Sequence, residues 1–154
     1  MRLTTFTDYS LRVLIYVATK SRRRATIGEI AASFIISQSH LTKVVHLLGR
    51  KGWLATVRGK GGGVELGMPP CDIVVGQVVR AMEGELVAAE CFGTSECSIA
   101  RVCRLRGILA EAVDAFHAVL DRYTLADLVA DDSALARVMF KDRTIVGTTM
   151  GIPL

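Results

Sequence analysis

Residues 26–51 read TIGEIAASFIISQSHLTKVVHLLGRK, and this stretch decides the fold. Apolar residues recur at helical spacing in two short segments, one on each side of the link 35–37. Thr26 and Glu29 have the spacing of a capping box, which predicts that the first helix of the pair begins there. The second helix is expected from about 38 to 51. Two short helices joined by a tight turn predict a helix-turn-helix.

The second helix of this pair has an apolar side and a polar, basic side. Its inner positions are Leu41, Val44, Val45 and Leu48. Its candidate DNA contacts, near the start of the helix, are Gln38, Ser39, His40, Thr42 and Lys43. In a helix-turn-helix the start of the second helix enters the major groove, so we expect these side chains to contact bases or phosphates. Simple solvation of the surface is the alternative for any one of them.

A β-hairpin with a basic tip is predicted next. Residues 53–57 and 64–66 have the composition of two short strands, and the sequence RGKGGG joins them at 58–63. Arg58 and Lys60 give the tip two cations that can reach phosphates or the minor groove. A nucleotide-binding phosphate loop is the alternative, but it requires a following Lys-Ser/Thr and a helix. The hairpin therefore completes a winged helix.

The remaining pattern is helical. A first helix is expected with Thr7 as its N-cap and Asp8 in its first turn. Another helix is expected at about 74–83. A long helix from Arg104 carries an apolar stripe as far as Tyr123, which indicates a partner helix, with packing inside the monomer as the alternative.

The end of the chain has weaker signals than the long helix. Thr124 is expected to cap a short turn at 125–129. Residues 131–154 show no convincing period and are expected to form a mobile tail.

The charge is distributed unevenly along the 154 residues. Residues 1–80 hold twelve Lys/Arg against four Asp/Glu, a net charge of +8. Residues 81–154 hold seven against eleven, a net charge of −4. A basic N-terminal half indicates a polyanionic partner such as nucleic acid, with a solvated basic face as the alternative. There is no apolar run long enough to span a membrane and no secretory signal, so we expect a cytoplasmic protein.

Three cysteines are spaced as Cys-x5-Cys-x5-Cys at Cys91, Cys97 and Cys103. Because cytosolic thiols stay reduced, they are better explained as metal or cluster ligands than as disulfides. The spacing is too wide for the Cys-x2-Cys arms of most zinc sites and suits an iron–sulfur cluster, although spacing alone leaves structural zinc open. Cys71 follows two prolines and is expected to be a half-buried, inert thiol. No catalytic constellation appears, so we do not expect an enzyme.

Taken together, these motifs resemble the Rrf2 family of bacterial winged-helix regulators. The resemblance rests on MRLTTFTDY at 1–9 with the following Leu11-Arg12, on RGKGGG at 58–63 and on the three cysteines, and it covers about residues 1–130. The nitric-oxide-sensing branch is the most similar, because Cys103-Arg104-Leu105 and YTLADL at 123–128 also look like that branch.

The resemblance implies a homodimer with crossing C-terminal helices on a pseudo-palindromic operator. It also implies one iron–sulfur cluster per subunit, held by Cys91, Cys97 and Cys103. In the iron–sulfur-assembly branch a histidine follows the third cysteine by three residues, but Arg106 stands there in this chain. The nitric-oxide branch instead offers an oxygen ligand from the first helix, which maps onto Asp8 of the other subunit. Helix capping or a salt bridge is the alternative role for Asp8.

The sequence therefore predicts a mainly α fold with a small β-hairpin, divided into four parts. These are a winged helix-turn-helix DNA-binding domain at 1–83, a cluster-binding loop at 84–103, a dimerisation helix region at 104–130 and a tail at 131–154. The function expected is a repressor that binds double-stranded operator DNA and releases it when its cluster is nitrosylated. We favour a 4Fe–4S cluster, with 2Fe–2S as an alternative.

Three other functions remain open from the sequence alone. One is an Rrf2-type regulator that responds to iron, cluster supply or redox state. The others, from different classes, are a zinc-stabilised interaction module and an iron–sulfur redox protein.

Overall fold

A computed structural model describes residues 2–20, 23–84, 98–99 and 102–140 of the chain. The elements in chain order are α1 (Thr5–Thr19), α2 (Ile27–Phe34), α3 (Gln38–Arg50), β1 (Leu54–Val57), β2 (Gly63–Leu66), a 3-10 turn (Pro70–Asp72), α4 (Val75–Glu83), α5 (Arg104–Leu120), α6 (Leu125–Leu128) and α7 (Asp132–Met139). The mainly helical fold with one β-hairpin is confirmed. Within the described ranges, no helix is long and apolar enough to cross a membrane.

The first helix begins earlier than its sequence predicts. Thr4, not Thr7, is the N-cap, and its Oγ1 accepts a hydrogen bond from the Thr7 backbone N–H at 3.3 Å. Thr7 is completely buried inside the first turn, and its hydroxyl lies 3.2 Å from that of Thr4. The prediction of Thr7 as the cap was therefore wrong, whereas Asp8 does lie in the first turn.

The helix-turn-helix forms as predicted. The capping box of α2 is complete: the Glu29 N–H donates to Thr26 Oγ1 at 3.2 Å, and the Thr26 N–H donates to Glu29 Oε2 at 2.8 Å. Ser37 caps α3. The buried inner residues of α3 are Leu41, Val44, Val45 and Leu48. They join one hydrophobic core with residues of α1, which fixes α3 and leaves its other side in solvent.

The turn between α2 and α3 contains an unusual backbone conformation. Ile35 ends α2 in the left-handed region, with φ 57° and ψ 47°. Among the described residues it is the only non-glycine with a positive φ. A β-branched residue is rarely found there, because its side chain crowds its own backbone.

The β-hairpin is anchored to the helix-turn-helix. Strands β1 and β2 pair antiparallel, with Leu54 opposite Leu66. Ala25, just before α2, adds a bridge to Val64 through two backbone hydrogen bonds of 2.9 and 2.7 Å. At the turn, a Cβ on Gly62 would overlap the Val57 carbonyl oxygen, so glycine is required there for close backbone approach.

After α4 the chain enters α5, and none of the residues of α5 is buried. The C-terminal end of α5 rests on α4, where Asp121 pairs with Arg80. The chain then returns to the core. The N–H of Leu125 donates to the Ile73 carbonyl at 2.8 Å, and the Leu125 side chain is buried. The core of the winged helix therefore includes residues beyond position 83.

The prediction of an unstructured tail at 131–154 was wrong for its first part. Helix α7 covers Asp132–Met139 and contacts α1. The Phe140 ring packs edge-on against Tyr16 at a centroid distance of 5.1 Å, and the Ser33 hydroxyl donates to the Met139 carbonyl at 3.2 Å. An eight-residue helix depends on such tertiary contacts, which its own sequence does not reveal. Residues 141–154 lie outside the described part of the chain.

Candidate nucleic-acid interface and metal ligands

The candidate DNA contacts share the solvent side of α3. All five residues predicted from the sequence are exposed: Gln38, Ser39, His40, Thr42 and Lys43. The His40 ring lies beside Tyr9 of α1, at a centroid distance of 6.5 Å. The Thr42 hydroxyl donates its hydrogen to the Gln38 carbonyl at 2.8 Å, so toward solvent it can act only as a hydrogen-bond acceptor. The arrangement offers a compact polar surface at the start of a helix.

The wing presents its two cations away from the core. Arg58 and Lys60 are exposed, and neither makes an ion pair with any described part of the chain. Arg24 holds the base of the wing, because its Nε bonds Glu65 Oε2 at 2.7 Å and its Nη1 donates to the Gly61 carbonyl at 3.4 Å. Arg24 has no local signal in the sequence, since its partners lie about forty residues away.

Asp8 lies in a surface cleft at the start of α1 and is held by one arginine. Its side chain is 46% exposed. Arg12 binds both carboxylate oxygens, with Nη2 2.9 Å from Oδ2 and Nε 3.0 Å from Oδ1. The cleft, of about 350 Å³, is lined also by Arg2, Leu3, Thr5 and Leu11. Because each carboxylate oxygen has a further lone pair, Arg12 orients Asp8 without using all of its acceptor capacity.

Two of the four cysteines lie within the described ranges. Cys103 is a half-buried, free thiol at the N-cap position of α5, where it makes no capping hydrogen bond. Cys71 is a free thiol in the 3-10 turn, and its Sγ lies 3.7 Å from Asp72 Oδ1. It is exposed, because no residue of this turn is buried, so the prediction of a half-buried thiol was wrong. Cys91 and Cys97 lie outside the described residues. Among the residues that are described, no three potential metal ligands come together.

The environment of Cys103 fits a thiolate ligand. It precedes a helix of 17 residues, whose first N–H groups have no acceptor within the helical hydrogen-bond pattern and carry the positive end of the helix dipole. The positive end of a helix is a favourable place for an anionic group such as a cluster. Thiolate sulfur is also the usual ligand of iron in iron–sulfur clusters. The donor set predicted from the sequence, three thiols and a carboxylate, is of a kind that binds iron.

A carboxylate joins the end of α4 to the beginning of α1. Glu83 Oε1 accepts hydrogen bonds from the Thr4 N–H at 2.6 Å and from the Thr4 hydroxyl at 3.1 Å. Burial acts to raise the pKa of Glu83, but hydrogen bonds from Thr7 and Thr4 outweigh it and hold the pKa below its usual value. Glu83 directly precedes the predicted cluster-binding loop at 84–103. Its hydrogen bonds therefore connect the start of that loop to Thr4, the N-cap of α1, the helix that carries Asp8.

A second carboxylate network fixes the start of the helix-turn-helix. Glu29 bonds Lys20 Nζ at 2.6 Å and Arg23 Nη2 at 2.9 Å, in addition to capping α2. Burial acts to raise the pKa of Glu29, but the hydrogen bonds from Lys20 and Thr26 and the two cations lower it to about 2. Glu29 is therefore charged at neutral pH and links α1 to α2.

Comparison with known proteins identifies the family. The Rrf2 family model, described as "Iron-dependent Transcriptional regulator", matches residues 3–131. The chain belongs to the Rrf2 family. Its resemblance to this family, noted from the motifs, is confirmed over most of the chain.

Individual Rrf2 relatives are similar along nearly their whole length. The HTH-type transcriptional regulator NsrR of Geobacillus kaustophilus (strain HTA426) is 47% identical, with 93% of this chain and 99% of the relative covered. The protein of the same name from Bacillus subtilis (strain 168) is 45% identical, with 90% and 97% covered. The solved structure of CymR (YrzC), described as the global cysteine regulator of B. subtilis, matches with a TM-score of 0.70 at 28% identity, over 85% of this chain and 98% of that one.

These comparisons establish the class of protein. This Rrf2 chain is a transcriptional regulator with a winged-helix fold, as the motifs predict. The relatives are named as regulators and not as enzymes.

Proposed function

We propose that this Rrf2 protein is a dimeric repressor. It binds operator DNA when it carries an iron–sulfur cluster, and it releases the DNA in response to nitric oxide. The observation that carries the proposal is the position of Asp8. It lies in the first turn of α1, and α1 packs directly against α3. A ligand on this helix gives a cluster a mechanical connection to the DNA-reading helix. The relatives named NsrR support the same assignment.

The α3 surface and the wing supply the contacts to double-stranded DNA. Gln38, Ser39 and His40 stand at the start of α3 and contact base edges in the major groove. Thr42 and Lys43 extend this surface toward the backbone. Arg58 and Lys60 bind phosphates or the minor groove from the wing tip. The net charge of +8 on residues 1–80 steers this half of the chain to DNA.

Helix α5 supports a homodimer. It has no buried residue, and its large apolar side chains Leu105, Ile108 and Val119 are exposed. An amphipathic helix of this length is stable in water only when its apolar side is covered. A second copy of α5 covers it in a two-fold dimer, which places two winged helices on a pseudo-palindromic site.

A cluster, one per subunit, would be held by Cys91, Cys97, Cys103 and Asp8 of the partner subunit, and we favour the 4Fe–4S form over 2Fe–2S. When bound, it supplies iron that reacts with nitric oxide. The cytoplasm, where thiols stay reduced, is the compartment that suits this ligand set. Asp8 is the weakest of the four ligands, because a carboxylate oxygen holds iron less firmly than a thiolate.

Arg12 holds the Asp8 carboxylate whether or not Asp8 serves as a ligand. While Asp8 serves as a ligand, Arg12 orients its carboxylate through the two hydrogen bonds described above. Without iron as a partner, the Asp8 carboxylate would be held by Arg12 alone, and α1 would lose its connection to the other subunit. The two winged helices would then change their spacing and no longer fit both half-sites.

Asp8→Ala tests this mechanism. We expect the variant to keep its iron but to show an altered visible spectrum, because one ligand is replaced. We also expect nitric oxide to change its operator affinity by less than about threefold, against at least about tenfold for the unsubstituted protein, which corresponds to about 1.4 kcal/mol. Anaerobic absorbance and operator binding are followed together during a titration with nitric oxide. Asp72→Ala, an exposed carboxylate in the 3-10 turn, is the matched control and responds like the unsubstituted protein. An unchanged spectrum with an unchanged nitric oxide response in Asp8→Ala rules out the tether.

Iron or cluster supply is the alternative signal, and the description of the family as iron-dependent favours it. The same binding assay, repeated with an iron chelator and with an oxidant, separates the signals. DNA release by nitric oxide at concentrations that leave the iron content unchanged supports nitric oxide sensing. Release only after the iron is lost supports a supply sensor.

The role of the wing is tested by the salt dependence of DNA binding. We expect Arg58→Ala and Lys60→Ala each to weaken binding to all DNA sequences alike. Each substitution reduces the slope of log affinity against log salt by about 1 if one phosphate contact is lost. Arg137→Ala on α7, also exposed, keeps the original slope. Unchanged slopes in both wing variants would remove the wing from the interface.

A further inference from the structure

Ile35 is kept in a conformation and an environment that folding does not favour. Its φ of 57° is strained for a β-branched residue, and 88% of its surface is exposed to solvent. An asparagine or glycine there would avoid the strain, and a polar residue would avoid the exposed apolar surface. An observed backbone outlier of this kind points to a role in binding.

Ile35 lies at the edge of the candidate DNA-reading surface. The next residue, Ile36, is buried in the core, and Ser37 then caps α3. Ile35 and Gln38, the first residue of α3, line the same open cleft of about 450 Å³. The remaining lining residues of this cleft are Gly28, Ala31, Ala32 and Ile36. When the start of α3 enters a major groove, the Ile35 side chain stands at the rim of that groove.

We propose that Ile35 contacts the C5 methyl group of one thymine in each half-site and so contributes to operator sequence preference. This rests on the proposed DNA binding. Ile35 has no side-chain donor or acceptor, so it gains nothing from phosphates or polar base edges. The thymine methyl is the apolar group that the major groove presents, and apolar side chains recognise it by contact. The small residues of the cleft leave room for the methyl group beside Ile35.

Replacing thymine by deoxyuridine removes only this methyl group and provides the test. The anaerobically prepared protein first selects its binding site from a random duplex pool. Each thymine of that site is then replaced in turn by deoxyuridine. We expect one symmetric position per half-site at which the unsubstituted protein loses about fourfold in affinity, the equivalent of about 0.8 kcal/mol for one buried methyl group.

The variant Ile35→Gly is expected to lose the sensitivity to that one replacement. Glycine accepts the left-handed conformation, so the thermal unfolding midpoint does not fall. Ile35→Asn, which also accepts it but is polar, gives the same insensitivity and guards against an effect of added flexibility. Val138→Ala on α7 is the control, because Val138 is 81% exposed but lies on a different helix, and it keeps the original profile.

Three results would overturn the assignment of Ile35. The first is a deoxyuridine profile for Ile35→Gly that equals that of the unsubstituted protein. The second is a loss of affinity in Ile35→Gly that is the same for all duplexes. The third is unchanged DNA binding by Ile35→Gly, as expected if Ile35 instead contacts a protein partner. Failure of the proposed function looks different. In that case the unsubstituted protein selects no sequence from the pool, and both proposals are lost together.

Discussion

Cys103→Ala is expected to leave the anaerobically purified protein without bound iron and without visible absorbance. Cys103 is the half-buried free thiol at the N-terminus of α5 and one of the three proposed thiolate ligands. Removing one of three thiolates leaves too few firm ligands to hold a cluster. Because operator binding is proposed to depend on the cluster, affinity falls by at least about tenfold, or 1.4 kcal/mol. Iron content, absorbance and operator binding are measured on the same preparation.

Cys71→Ala is the matched control for this loss. Cys71 is also a free thiol, but it is exposed in the 3-10 turn and is not among the proposed ligands. We expect it to retain iron, absorbance and operator affinity. Iron that stays bound in Cys103→Ala would show that the ligand set is wrong. Loss of iron in Cys71→Ala would bring that cysteine into the site.

Glu29→Gln is expected to lower the free energy of unfolding by about 2–3 kcal/mol at pH 7. The Lys20 side chain is only 8% exposed, so the substitution leaves a nearly buried ammonium without its anion. The capping box of α2 is weakened by the same change. Urea unfolding measures the difference. Glu65→Gln, which removes an exposed ion pair with Arg24, is expected to cost less than about 1 kcal/mol.

The pH dependence identifies the charge of Glu29 as the cause. Its pKa in the folded protein is about 2, below the ordinary value of 4.5. A depressed carboxyl pKa stabilises the folded state fully above the ordinary value, and this contribution is lost as the pH falls toward the folded pKa. The difference in stability between the two proteins therefore shrinks between about pH 4.5 and 2. A difference that stays constant over this range would assign the effect to shape or packing and not to charge.

The helix-turn-helix could be predicted because its signals are local. Thr26 and Glu29 cap each other within one turn, and the buried residues of α3 follow a single helical period. The start of α1 could not be predicted in this way, because Thr4 and Thr7 are both suitable N-cap residues. Glu83, 79 residues away from Thr4, decides between them. Only the fold brings such a partner close.

The candidate site also combines features that local sequence spacing predicts with features that it does not predict. Exposure of the polar side of α3 followed from its period, and the pairing of Asp8 with Arg12 agrees with their i, i+4 spacing. The left-handed conformation of Ile35 had no signal, because glycine or asparagine is the residue that usually marks it. The contribution of Cys91 and Cys97 stays a prediction, since both lie outside the described residues.

The central position of α1 limits how any signal can act on DNA binding. This helix contacts α3, α4, β2, α6 and α7, and Glu83 fixes its first residues to the end of α4. A displacement of α1 at Asp8 is therefore passed directly to both α3 and the β-hairpin. In the proposed dimer, each winged helix would then rotate as a whole. Regulation would then change the position of one winged helix relative to the other while each stays folded. Amide hydrogen exchange within each winged helix would change little.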